Sequence, residues 1–231
     1  MWLVTCQDND SDAVLLATRL RETGLEPLEL VLATELVHGA RWEHRVGGWG
    51  SRTRLRLADG REIESDDVQG VLNRLLWITA DGFLGASDTD REYAGGELHA
   101  LVLSWLEGFG ARVINRPAGL GLSGPWRTTD QWRALAREAG LEIRAHPEPS
   151  AQPAELALVL VIDGEIIEDG GAPLPVCEGT LRLVTEQGHD LIELRFDEEW
   201  RFADATLMPA VGYGGERRVH AVARALRARA T

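Results

Sequence analysis

The chain has 231 residues, 44% of them apolar, with 37 acidic against 24 basic side chains and a formal charge of −13. That length allows one large or two small domains with proper cores, and that charge argues against sequence-independent binding to nucleic acid or an anionic membrane, which needs basic surface. No run reaches the apolar length of a membrane span and Met1-Trp2-Leu3-Val4 lacks a signal peptide's basic start, so a cytoplasmic protein is expected.

In chain order, Trp2–Cys6 is a short apolar strand, followed by a cap at Asp8-Asn9-Asp10-Ser11, an amphipathic helix to Thr23 and Gly24 as its stop. Leu28–Leu32 is a second strand, giving a β-α-β opening of α/β type. The turn after the first strand is acidic and lacks the glycines of a dinucleotide site. Residues 38–66 form a β-excursion around the turn Asp59-Gly60. Its alternating Arg52, Arg54 and Arg56 suit either a carboxylate or phosphate partner or, more simply, a solvated edge strand guarded by charge.

A strand over 68–77 carries Asn73 and Arg74 near its end, and the longest helix is expected over 90–109, with Gly95 and Gly96 inside it for close packing or backbone access. A strand over 111–115 leads to Arg116-Pro117. The glycine-rich stretch 118–124 lacks the Lys-Ser/Thr of a P-loop and reads as an ordinary loop. A capped helix over 129–139 ends at Gly140-Leu141. The proline-rich stretch 146–155, HPEPSAQPAE, has the composition of a spacer. An apolar strand over 156–163 and a return over 165–167 follow.

Residues 190–196 and 200–206 both alternate at period two around Asp197-Glu198-Glu199, which predicts a hairpin. A three-residue loop pairs Phe196 with Trp200, Leu194 with Phe202, Ile192 with Asp204 and Asp190 with Thr206. In that register Asp190, Asp204 and Thr206 share one face at the open end. Either the sheet meets water there, or a hard cation is held by clustered oxygens. The last helix, Glu216–Arg229, turns Val219, Val222, Ala223 and Leu226 inward and Arg217, Arg218, Arg224 and Arg227 outward.

The stretch GHDLIELRFDEEWRFADATLMPAV with its following helix resembles the last part of an ATP-grasp ligase, where a G-x-D-L strand pairs with a strand ending E-V-N-x-x-P. The resemblance implies a magnesium site for ATP at Asp190, Asp204 and Thr206, with Asp for Glu and Thr for Asn weakening the set. Asn73-Arg74, Glu97, Asn115-Arg116-Pro117 and Ala139-Gly140-Leu141 are similar to the N-terminal domain of ATP-grasp peptide and amino-acid ligases. They imply a small-molecule or peptide pocket at Arg74, Glu97 and Arg116, beside which stands the simpler reading that each arginine pairs with a local acid. The implied fold is α/β: a pre-ATP-grasp-like domain over 1–145, the linker 146–155, and a reduced α+β ATP-grasp portion over 156–231.

All 24 basic residues are arginine. Family members use lysines and a glycine-rich lid to hold the nucleotide, and after Gly140 this chain has only the spacer. The resemblance therefore implies a lobe deleted at that junction. It points to a non-catalytic, peptide- or substrate-binding accessory relative in bacterial natural-product or amino-acid metabolism, with no cofactor. Magnesium and ATP enter only if the chain is an active carboxylate–amine ligase with an incomplete or shared nucleotide site. A partner enzyme or homo-oligomer would then complete it. A structural or assembly protein is the third reading. Cys6 and Cys177 fit neither a disulfide framework nor a zinc site, and no serine, cysteine or threonine sits in a nucleophile elbow.

Overall fold

The computed structural model describes residues 1–48, 50–79, 83, 85–119, 121–145, 156–168 and 170–230. It divides into two compact units, one of Met1–Pro125 with Val211–Thr231 and one of Trp126–Ala210. The division differs from the boundaries expected from sequence. Helix 129–138 packs on the late strands of the second unit, whereas the last helix packs on the first helix of the chain. The proposed linker 146–155 lies outside the described residues.

The first unit opens as expected, with β1 (Trp2–Cys6), α1 (Ser11–Glu22) and β2 (Leu28–Leu32), followed by a one-turn helix α2 (Ala33–Val37). Asp10 caps α1 by accepting from the Ala13 amide at 3.0 Å, which satisfies a donor the first turn would otherwise leave bare. Then come β3 (Arg41–Gly47), β4 (Gly50–Arg56), β5 (Glu62–Glu64), β6 (Gly70–Arg74), α3 (Asp88–Glu107) and β7 (Val113–Ile114). Strands β2-β1-β6-β7 make a parallel sheet, and β3-β4-β5 a separate antiparallel one. The latter lays Leu55, Ile63 and Trp42 against Trp105 and Leu106 of α3, with the Trp42 and Trp105 rings edge to face at 5.5 Å.

Three expectations change here. Strand β4, bearing Arg52, Arg54 and Arg56, is the central strand of its sheet and not an edge. A Cβ on Gly96 would meet nothing within 4 Å, so that glycine serves no close approach. In the last helix, α6 (Glu216–Arg229), Val219, Val222, Ala223 and Leu226 are buried as expected, but Arg218 is buried with them.

The second unit contains α4 (Thr129–Glu138), β8 (Ala157–Ile162), β9 (Glu165–Glu168), α5 (Leu174–Gln187), β10 (Leu191–Phe196) and β11 (Phe202–Thr206). Its antiparallel sheet runs β11-β10-β8-β9. One face, with Val159, Val161, Ile192, Leu194, Phe196, Phe202 and Ala205, packs with Trp132 and Ala136 of α4 and Leu183 and Val184 of α5. Helix α4 begins with a capping box between Thr128 and Gln131.

Candidate functional site

In the first unit, β1 and β6 run side by side in register, Thr5 opposite Asn73 and Cys6 opposite Arg74. Chemistry-bearing side chains thus collect at the carboxyl ends of parallel strands, where open α/β sheets hold their ligands. Arg74 is 2% exposed and grips the carboxylate of Asp10, Nε to Oδ2 at 2.8 Å and Nη2 to Oδ1 at 3.1 Å, with Asp12 at 3.4 Å. A bidentate fork of this kind fixes both partners. Arg74 is therefore built into the acidic turn after β1, and the local-acid reading holds for it with Asp10 as the acid. Glu97 instead lies exposed on α3, and Arg116 is exposed beyond β7. Neither has an ion-pair partner among the described residues, and no described cavity is lined by both arginines.

Asn73 is fully buried and structural. It accepts from the Thr5 hydroxyl at 3.1 Å and the Leu75 amide at 3.2 Å, and donates to the carbonyls of Asn115 and Leu122. The glycine-rich stretch after β7 is thereby pinned to the sheet, with Ala118 and Gly121 bonded to each other in both directions and Leu122 and Ser123 buried. It is an anchored turn. Asp12 accepts from the amides of Val211 at 3.1 Å and Tyr213 at 2.9 Å. Burial pushes the Cys6 thiol up to about 12, so at neutral pH it is a protonated thiol.

In the second unit the hairpin forms, but in another register. Glu193 pairs with Thr206, Leu194 with Ala205, Arg195 with Asp204 and Phe196 with Phe202, with an irregularity between Arg195 and Phe196. Two causes act. First, buried Asp197 organises the turn through Oδ1, which accepts from the amides of Glu199 and Arg201 at 3.1 and 2.9 Å. Trp200 then takes the left-handed position (φ 60°) instead of starting the strand, and its ring packs tilted against Phe196, centroids 5.9 Å apart. Second, Ala203 is an extra residue in β11, so Phe202 and Ala205 share the core face although they are three apart.

This separates the expected ligands. Asp190 stands before β10, its carbonyl accepting from the Asp163 amide at 2.7 Å. It lies three residues, about 10 Å, from the partner of Thr206, and its register position belongs to the face opposite that of Asp204 and Thr206. The residues that share their face are Glu193 and Arg195. Glu193, which the sequence reading passed over, is 2% exposed. Arg195 stands directly opposite Asp204 and places Nε 3.5 Å from Glu193 Oε1. The Thr206 hydroxyl accepts from the Met208 amide at 3.1 Å. The face therefore carries two carboxylates, Glu193 and Asp204, with Arg195 paired to the first and opposite the second in register. The Arg195 charge beside Glu193 competes with any cation for that carboxylate. Among the described residues no group of three or more His, Cys, Asp or Glu side chains could hold a metal ion.

Behind this sheet His189 is buried at the end of α5. Arg127 Nη1 donates to its Nε2 at 3.3 Å, Arg127 Nη2 donates to Gln187 at 2.7 Å, and the guanidinium lies 4.9 Å over the ring of Trp132. Burial and then Arg127 pull the His189 imidazole down to about 4, so at neutral pH it is an uncharged acceptor that ties α5 to the entry of α4.

No family model and no curated protein matches this sequence. Solved structures do match its fold. The chain is similar to the macrocyclase MdnB from Microcystis aeruginosa MRC, with TM-score 0.64 and 15% identity over 98% of each chain. It is similar to the ATP-grasp ligase PsnB complexed with a minimal precursor, with TM-score 0.68 and 16% identity over 100% of this chain and 98% of that one. A RiPP-associated ATP-grasp ligase from Chryseobacterium gregarium, in complex with ADP and a leader and core peptide, gives TM-score 0.67 and 10% identity over 98% and 95%. The chain has the α/β fold of the ATP-grasp ligases.

Proposed function

We propose that this chain is a peptide-binding relative of the ATP-grasp ligases that does not itself carry out ligation. The observation that carries the proposal is Arg195, which stands opposite Asp204 and beside Glu193 where the resemblance calls for acids free to hold magnesium. Composition supports it. With no lysine in the chain, the compact ammonium groups that touch nucleotide phosphates in such ligases have no counterpart, and a planar guanidinium is not an equivalent replacement. Binding to peptide is the part of the activity carried over, since the solved structures of similar fold include complexes with precursor, leader and core peptides.

Titration calorimetry with ATP, with and without magnesium, tests this. No saturable binding is expected at millimolar nucleotide, and Asp190→Asn and Asp204→Asn variants should fold and behave as the parent does. Magnesium-dependent ATP affinity that both variants lose would overturn the proposal in favour of a working ligase. ATP turnover appearing only with a partner enzyme would overturn the non-catalytic label and assign a shared site.

A further inference from the structure

We propose that the open edge of β3 is a docking strand for an extended peptide segment carrying acidic residues four apart with a neutral or basic residue midway between them. The inference rests on the peptide-binding reading and assigns it a surface and a sequence pattern. Its starting point is a charge anomaly. In a chain of net charge −13, the hairpin β3–β4 carries five arginines, Arg41, Arg45, Arg52, Arg54 and Arg56, against one acid, Glu43.

The register sorts these charges into three rows on one face. Across β3, β4 and β5 the rows read Arg41, Arg56, Glu62, then Glu43, Arg54, Glu64, then Arg45, Arg52, with Asp66 beyond β5. The arginines of β4 are already matched on their β5 side. Arg52 meets Asp66 at 2.7 Å, Arg54 meets Glu64 at 2.8 Å and Arg56 meets Glu62 at 3.9 Å. The middle row alternates in sign and is complete. The two outer rows are not, because Arg41 and Arg45 each stand directly opposite another arginine, an arrangement that costs stability in a sheet. Both lean on the single carboxylate of Glu43, Arg45 at 3.9 Å, and their side chains are 70% and 75% exposed. Guarding an edge does not account for the β4 arginines, since β4 is central.

What completes the outer rows is one more acid in each, on the far side of β3. That strand is the edge of its sheet, so it presents backbone donors and acceptors to an incoming chain. It is also held in place from its other face, where Trp42 meets Trp105 and His44 bonds Thr53 at 2.7 Å and Ser104 at 2.8 Å. A strand added there places residues i and i+4 beside Arg41 and Arg45, and residue i+2 beside Glu43, where another acid would be repelled. The pattern reads the same in both directions, so it holds for parallel and antiparallel addition.

Fluorescence anisotropy on the full chain tests it. The probes are the labelled peptide Thr-Thr-Glu-Val-Lys-Val-Glu-Thr-Thr, its charge-exchanged form with Lys and Glu swapped, and a form with Lys at all three positions. The first peptide is expected to bind about ten-fold more tightly than the exchanged one. The double variant Arg41→Glu, Arg45→Glu, whose substitutions lie on solvent and whose fold is checked by circular dichroism, should lose the first peptide and gain the three-lysine peptide. Equal binding of the first two peptides, or first-peptide binding that survives in the double variant, overturns the assignment to β3 and leaves peptide binding itself standing. Silence across a tiled peptide array overturns both. Tighter binding of a single-stranded oligonucleotide, lost in the double variant, overturns the peptide as occupant.

Discussion

Asp12 joins three parts of the first unit through one carboxylate: it sits in the first turn of α1, lies 3.4 Å from Arg74, and receives the amides of Val211 and Tyr213. Gly212, between those amides, fits because it has no side chain. A Cβ there would lie 2.6 Å from the Asp12 carbonyl and 2.9 Å from the Leu16 amide, both backbone atoms that cannot swing away. Arg19 closes the contact by donating to the Gly212 carbonyl at 2.6 Å. Gly212→Ala is therefore expected to destabilise the first unit by about 2 kcal/mol, read as a lower urea midpoint in the tryptophan signal. At this scale the sequence was partly legible. Arg74 was singled out as following a strand core, but its partner could not be read, because Asp10 lies 64 residues away and meets it only once β1 and β6 are neighbours.

Element by element, legibility follows local consistency. Strand β1, helix α1 and strand β2 each carry their own periodicity and caps, and they form where expected. Helix α5 has no counterpart among the elements expected from sequence. Its sequence contains Gly179, a poor helix former, yet a Cβ at Gly179 would lie 2.6 Å from Leu141 Cδ2, so packing demands the residue that propensity disfavours. The hairpin was recognised and its register was not, because the extra residue at Ala203 leaves no mark on the alternation, and one such residue turns every later side chain to the other face. Hence the alternation alone groups Asp204 and Thr206 with Asp190 in place of Glu193.

The end of α5 carries a pH signature. Folded His189 titrates near 4 against an ordinary 6.5. Between those values the unfolded chain takes up a proton that the folded chain refuses, so the stabilisation is complete above pH 6.5 and is lost as pH falls toward 4. Denaturant titration should show the second unit weaker by about 2 kcal/mol at pH 5 than at pH 7, and His189→Gln should flatten that difference.

At the scale of the molecule, the first unit is made from both ends of the chain. Helix α6 supplies Val219, Val222 and Leu226 to its core, and its Arg227 bonds the Thr23 carbonyl beyond α1. Burying three such side chains contributes about 5 kcal/mol or more, comparable with the whole stability of a small domain. Ending the chain at residue 210 should therefore leave residues 1–125 unfolded and open to protease while residues 126–210 stay protected. Limited proteolysis read by mass spectrometry distinguishes this from loss of the entire fold.

Synthesis on the ribosome proceeds from one end only. Residues 126–210 have all their own contacts as soon as they emerge, whereas β1 and α1, made first, must wait for the last helix before their unit can close. The order of folding is then the reverse of the order of appearance. During that interval the newborn first unit is exposed to chaperones or to premature association. A slow stretch of translation just before residue 211 would lengthen that wait.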